Sequence, residues 1–270
     1  MGKATQESRN KYMLKVQEYK KIIDELSAKE QSMVAILKQG NPITIGHGYF
    51  KLANAALDIT SYYILLNTLS VALIGIKNED ALADARKAVG RSIKYIEDIV
   101  TPYIDVPFSE YEKNLEAIAD ISYEDRYNLF RKIGFAIAEI ETGYGTLSKW
   151  KWSFVELWGK HAVITRNLLD LKKAYTDMDF SSPNREIVLS YIDYIKKLFQ
   201  QAADKYREKY EIFSNKIEDF KSAIVFLSGL RRFYITMGEK DEADELKKKI
   251  EVWNNKLNAD QKKMEEDRKK

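Results

Sequence analysis

The chain has 270 residues, and its 44 basic and 41 acidic side chains leave a formal net charge of +3. Because the two signs are interleaved along the chain, there is no clustered basic stripe of the kind that binds nucleic acid. The lack of cysteine excludes disulfides, thiolate metal sites, iron–sulfur clusters and a cysteine nucleophile. Few glycines and prolines interrupt long runs with a 3.6-residue period, which predicts an all-α protein.

The N-terminal end of the chain begins with a long predicted helix, over residues 5–39. The run Gly40-Asn41-Pro42 should break it. A loop is then expected over residues 43–48, with His47 between two glycines in a tight turn. No signal peptide opens the chain, which slightly favours a cytoplasmic protein, although Met1-Gly2-Lys3 is also a start that expression vectors add.

A second helix is predicted over residues 49–76, and it carries no charge from 59 to 76. By length alone this run is a candidate for crossing a membrane. Polar side chains recur along it, however, which favours the central helix of a large soluble bundle. Membrane association is therefore the less favoured alternative. The polar residues are Asn54, Asp58, Ser61, Asn67, Thr68 and Ser70.

The middle of the chain shows two helix starts. Asn78 should cap a helix over 79–100, and Ser122 with Asp125 resembles a capping box that starts a helix ending near Glu141. A linker with two prolines, residues 101–108, lies between the first of these helices and a short one over 109–121.

The remaining helices begin with a tryptophan-rich one that contains Trp150, Trp158 and His161. The strongest apolar stripe follows over residues 183–237, and we expect it to break near Ser214-Asn215 because globular helices rarely run so long. With a last helix over 241–265, the total is eight or nine helices in antiparallel hairpins. We expect one domain over 1–270, with possible sub-units 1–108 and 109–270.

The C-terminal hairpin, which should turn at Met237-Gly238-Glu239, carries a family resemblance. Its spaced residues are Phe226, Leu230, Tyr234, Gly238, Ala243 and Ile250. The stretch 226–253 resembles one tetratricopeptide repeat (TPR), and 70–96 resembles one more loosely. The resemblance implies a TPR-like solenoid or irregular bundle and makes a protein partner the expected ligand, although the rest of the chain departs from the 34-residue period of true arrays.

No catalytic, phosphate-binding or dinucleotide-binding motif occurs, so we predict neither enzyme activity nor a cofactor. A di-iron site needs Glu three residues before each His, but Thr44 and Trp158 precede the two histidines, and no metal site is predicted.

Asn54 and Asp58 lie one turn apart on the most apolar helix. They are either a polar anchor inside a ligand cavity, or a satisfied core network or water-facing stripe. Glu139 allows the same two interpretations. The full set of ligand-binding candidates is His47, Tyr49, Asn54, Asp58, Trp150, Trp158 and His161.

Two functions follow from the sequence. The first is a non-enzymatic protein-interaction module, a scaffold or adaptor of TPR-like type. The alternative is a helical protein that binds a small ligand, such as a hydrophobic one, in an internal cavity lined by the 49–76 helix and the tryptophan-rich helix. The sequence leaves the oligomeric state open.

Overall fold

The computed structural model describes residues 5–37 and 42–269, and within them it contains helices and no strand, which confirms the all-α class. The described residues form ten α-helices rather than the expected eight or nine. The additional helix begins after Asp170, whose carboxylate accepts from the backbone N–H groups of Lys172 and Lys173. These α-helices are α1 Gln6–Leu37, α2 Pro42–Ile74, α3 Glu79–Glu97, α4 Glu112–Glu116, α5 Tyr123–Tyr144, α6 Ser153–Asn167, α7 Leu171–Asp177, α8 Arg185–Lys209, α9 Ile217–Thr236 and α10 Lys240–Lys269.

The start of α2 differs from the prediction. Residues 43–48 are not a loop: α2 begins at Pro42, and His47 is helical. The neighbouring glycines serve close packing rather than a turn, since a Cβ at Gly46 would lie 2.7 Å from the Cγ2 atom of Ile118 and one at Gly48 would lie 2.1 Å from the Cδ2 atom of Leu37. The remainder of the predicted breaker, residues 40 and 41, lies outside the described residues.

The chain divides into two compact units. The first unit comprises Met1–Thr101 and Pro107–Leu157, and the second comprises Pro102–Val106 and Trp158–Lys270, so the division falls within α6. The single-domain organisation over 1–270 stays a prediction.

The first unit is built around α2, which packs against α1, α3 and α5. Its inward face is fully buried at Leu52, Ala53 and Ile59. The stretch Ile45–Ile74 is also long and apolar enough to cross a membrane, with a mean hydropathy of 1.4, and 33% of its most apolar window is buried. Much of this apolar surface is therefore not covered by the helices of the unit.

The predicted caps of the first unit are present. The side chain of Asn78 accepts from the backbone N–H of Ala81 and starts α3, and the hydroxyl of Ser122 accepts from the backbone N–H of Asp125 and starts α5. Each satisfies a backbone donor that the first turn of a helix leaves free.

A polar anchor joins α1 to α3 in the first unit. The Glu30 carboxylate is buried, and it accepts from Nε and Nη2 of Arg91 at 2.9 and 3.0 Å and from the Tyr95 hydroxyl at 2.7 Å. Burial and the hydrogen bond from the hydroxyl to Glu30 raise the pKa of Tyr95. The bidentate geometry fixes the register of the two helices.

We expect Glu30→Ala to lower the free energy of unfolding by about 2 kcal/mol, because it leaves the partly buried Arg91 and Tyr95 without their acceptor. The measurement is urea denaturation. Glu25→Ala, an exposed acid on the same helix, is the matched control and should change the value by less than about 0.5 kcal/mol. Equal effects from the two variants would contradict a stabilising role for the anchor.

In the second unit, α8, α9 and α10 follow one another as packed neighbours. The expected break near Ser214-Asn215 is confirmed, although Asn215 does not cap α9. It ends a π-helical turn, Tyr210–Ser214, in the left-handed conformation with φ 49°, which asparagine tolerates well. The buried Asp219 accepts from the Ser214 hydroxyl at 2.6 Å and from Nζ of Lys209 at 2.8 Å, and these bonds stabilise the break.

The C-terminal hairpin turns where predicted, at Gly238, whose φ of 81° favours glycine. Phe226, Leu230 and Ala243 are buried in it, as packing positions should be. However, α10 alone has 30 residues, close to the length of a whole TPR unit. The TPR resemblance stays a prediction.

Candidate functional site

A groove lies between α2 and α5 of the first unit, and we call it the α2/α5 groove. The two helices run parallel: near their N-terminal ends Nε2 of His47 lies 2.8 Å from Oδ1 of Asp120, and near their C-terminal ends a Cβ at Gly143 would lie 3.3 Å from Nδ2 of Asn67. The volume is about 900 Å³. The lining residues are Phe50, Asn54, Leu57, Asp58, Ser61, Ile64, Leu65, Thr68, Asp125, Asn128, Leu129, Arg131, Lys132, Phe135, Ala136 and Glu139.

Helical periodicity accounts for the two walls of the groove. On α2, Asp58, Ser61, Leu65 and Thr68 are three or four residues apart, so they share one face, and that face is exposed. The α5 wall has the same spacing and contains Asn128, Arg131, Lys132, Phe135 and Glu139. Buried residues of both helices, Leu57, Leu129 and Ala136, form the floor.

Large apolar side chains remain open to solvent in the groove. Leu65 is 41% exposed and Phe135 is 67% exposed. Exposed apolar surface concentrated in one groove marks a binding surface more often than scattered single residues do. Since these side chains are exposed, the site is an open groove and not the closed internal cavity of the ligand-binding alternative.

Three of the charges on the walls are available to a ligand. The side chains of Asp58 on α2, and of Lys132 and Glu139 on α5, have no hydrogen bond or ion pair within residues 5–37 and 42–269. Asp58 is exposed and Glu139 is half-buried. The exposure of Asp58 therefore excludes a satisfied core network, and both the polar anchor for a ligand and the water-facing stripe remain.

The sequence-predicted candidates do not form one cluster. Asn54 and Asp58 line the α2/α5 groove, and the Asn54 amide also donates to the Phe50 carbonyl at 3.0 Å. In the first unit but outside this lining, the ring of Tyr49 stacks on Tyr95 at 6.2 Å.

The groove lining does not include the remaining candidates, which are His47, Trp150, Trp158 and His161. Each oxygen of the Asp120 carboxylate lies within 2.9 Å of Nε2 of His47, and this hydrogen bond lowers the pKa of Asp120. Trp150 is not helical as predicted: it lies in the turns that precede α6, and its ring packs on Tyr144 at 6.2 Å in the first unit. Trp158 and His161 belong to the second unit, so the tryptophan-rich helix does not line the groove.

The α5 wall is the part of the site that the sequence reasoning missed, apart from Glu139. A signal was present: Phe135 is followed by a run of apolar residues, and α5 has more apolar positions than a single buried stripe requires. Pattern alone does not say which of these positions another helix covers.

A smaller groove of about 560 Å³ lies in the second unit, between α8, α9 and α10. Two of its charged groups are engaged: Nζ of Lys196 lies 2.7 Å from both oxygens of Glu239, and Asp204 accepts from Gln200 at 2.7 Å. Its leucines, Leu230 and Leu246, are buried, so it lacks the exposed large apolar side chains of the α2/α5 groove. Within the described residues no three His, Asp or Glu side chains are grouped as metal ligands would be.

His161 is a neutral core residue of the second unit. Its imidazole is fully buried, Nε2 lies 3.1 Å from the hydroxyl of Tyr194, and its ring lies 6.0 Å from that of Trp158. Burial lowers the pKa of His161 to about 3. The folded protein therefore keeps this side chain uncharged at neutral pH.

We expect the free energy of unfolding to fall less in acid for His161→Phe than for the wild-type protein. An imidazole in the unfolded chain binds a proton below about pH 6.5, whereas the folded His161 does so only near pH 3. Unfolding therefore takes up about one proton between these values, and the free energy of unfolding falls as the pH drops through them.

Urea denaturation between pH ~4 and ~7 gives the free energy of unfolding, and its slope against pH measures this proton uptake. His161→Phe should take up about one proton fewer than the wild-type protein, while His47→Gln, which changes a partly exposed imidazole, should keep the contribution of His161. Identical slopes for His161→Phe and the wild-type protein would refute the assignment.

The fold and the groove define an all-α protein with an open, mixed apolar and charged groove on one unit. Residues 8–261 match the model of the TP0443 family, and the chain belongs to that family. No curated protein matches it.

Two solved structures are similar to the chain, each at 12% identity over 93% of this chain and 99% of the other: one described as "DHF58 filament", with a TM-score of 0.44, and one from "Computational Design of Self-Assembling Cyclic Protein Homooligomers", with a TM-score of 0.33.

Proposed function

We propose that this TP0443-family protein is a non-enzymatic protein-interaction module, a scaffold or adaptor, and that the α2/α5 groove receives an amphipathic helix of a partner protein. The observation that carries the proposal is the exposure of Leu65 and Phe135 within the groove. An amphipathic helix laid into an apolar groove is a recurring mode of peptide recognition. It would cover the face of α2 that α1, α3 and α5 leave open.

The length of the groove suits a short helix. The α5 wall extends from Asp125 to Glu139, which corresponds to about 20 Å along the helix axis at about 1.5 Å per residue. A partner helix of about four turns would match this length, and it would place about two or three apolar side chains on the floor.

The charges on the walls define the flanks of that partner helix. The contacts of His47 with Asp120 and of Asn67 with Gly143 place Asp58 at about the same height as Arg131 and Lys132, on the opposite wall. A helix between them should carry a basic residue on the flank that faces α2 and acidic residues on the flank that faces α5. Such complementarity selects partners and orients them in the groove.

Site-specific photo-crosslinking tests the proposal. A photoreactive amino acid at Asn128, on the groove wall, should crosslink in the native source to one protein, and mass spectrometry should locate the link in an amphipathic helix. The same group at the exposed Glu25 of α1 is the control position and should not give that product. The same product from both positions, or none from Asn128, would contradict the proposal.

A matched pair of variants then tests the groove itself. Phe135 and Ile36 are both 67% exposed in the first unit, but only Phe135 lines the groove. Phe135→Ser should weaken binding of the identified helix about tenfold or more, because the ring loses its apolar contact. Ile36→Ser should leave the affinity unchanged.

A second candidate function is the binding of a small ligand in the same groove. Its volume of about 900 Å³ falls within the range of about 300–1,000 Å³ for ligand sites, and Asn54 and Asp58 supply polar contacts. Native mass spectrometry of protein from its own source would then show one added mass that Phe135→Ser loses and Ile36→Ser retains. A bare polypeptide mass in the wild-type protein would contradict this second function.

A further inference from the structure

A second exposed surface lies at the end of the first unit where α2 meets α3 and α5 meets α6. The loop of residues 145–152 carries Leu147, whose side chain is 100% exposed, and the neighbouring α2–α3 turn carries Ile76, which is 64% exposed. The two segments are joined because Nζ of Lys77 donates to the carbonyl of Tyr144 at 2.9 Å. We call residues 75–77 and 145–152 the hairpin tip.

The hairpin tip holds its apolar residue in a defined position. Backbone hydrogen bonds from Ser148 to Gly145 at 3.1 Å and from Lys151 to Ser148 at 3.0 Å fold the loop into successive turns. Leu147 lies inside the first of these turns, and its side chain projects into solvent. The ordered loop therefore keeps a large apolar side chain in water, where covering it is favourable.

Two tryptophans and several cations flank Leu147. The guanidinium of Arg86 lies 4.9 Å from the ring centroid of Trp150, and Nζ of Lys149 lies 5.3 Å from the same centroid. Nζ of Lys151 lies 4.5 Å from the ring centroid of Trp152. Both tryptophans are half-buried. Tryptophan prefers the level of lipid headgroups, where lysine reaches phosphate while its stem stays in apolar surroundings.

The charge of the hairpin tip is basic. Residues 145–152 contain two lysines and no acid, and the α2–α3 turn adds Lys77. Acids also lie near this end: Glu79 and Asp80 are in the first turn of α3, where the partial positive charge of the helix N-terminus offsets part of their charge. Asp84 lies one turn further along α3.

We propose that the hairpin tip docks on an anionic lipid bilayer, with Leu147 and Ile76 entering the boundary between headgroups and acyl chains, the tryptophans at headgroup level and the lysines on the phosphates. A projecting side chain needs a matching pocket on a protein partner, whereas a fluid bilayer accepts it without shape complementarity. Two inserted side chains with basic neighbours give reversible binding that depends on anionic lipid. This proposal is independent of the α2/α5 groove.

Vesicle co-sedimentation of the full chain tests the proposal, using phosphatidylcholine vesicles with and without phosphatidylserine. We expect binding to the anionic vesicles that decreases with added salt. Intrinsic fluorescence should shift to shorter wavelength on binding, and the signal should come from Trp150 and Trp152, because Trp158 and Trp253 are buried. The failure of the wild-type protein to bind either vesicle would overturn the proposal.

Variants locate the contact. The double variant Ile76→Ser with Leu147→Ser should weaken binding to anionic vesicles about tenfold or more, and Lys149→Gln with Lys151→Gln should reduce the preference for phosphatidylserine. Phe180→Ser is the control because Phe180 is an 88% exposed loop residue of the second unit, and it should bind as the wild-type protein does. Unchanged binding in both double variants would refute the hairpin tip as the contact.

Discussion

The first unit depends on the burial of α2. Each apolar face of α2 that stays in water is unfavourable, so the helix is stable only when other helices pack on it. Its neighbours are α1, α3 and α5. Three neighbours do not cover it completely. The open face between α2 and α5 becomes the groove, so one constraint, the burial of an apolar helix, determines both the packing of the unit and its candidate binding surface.

Polar interactions determine how these helices pack rather than whether they pack. The Glu30–Arg91 pair fixes α1 against α3, and the Asn78 cap fixes where α3 begins. In the second unit the Asp219 carboxylate stabilises the break between α8 and α9. Each is a directional interaction that selects one arrangement among several with similar apolar burial.

Helix caps, breaks and turns were the features best predicted from the sequence. The caps at Asn78 and Ser122, the break near Asn215 and the turn at Gly238 were all predicted, because each depends on a few adjacent residues. The loop at His47 was predicted wrongly for a related reason. Glycine suits both a turn and a close helix contact, and only the positions of Leu37 and Ile118 decide between them.

The sequence by itself determined the all-α class and the apolar character of α2, and it singled out Asn54 and Asp58 as candidate ligand-binding residues. Composition and periodicity depend on the chain alone. Only the tertiary structure decided that α5 forms the opposite wall, that Phe135 stays exposed, and that Trp158 and His161 belong to another unit. Which faces of two helices meet is a property of three-dimensional packing, and the spacing of residues along one helix does not contain it.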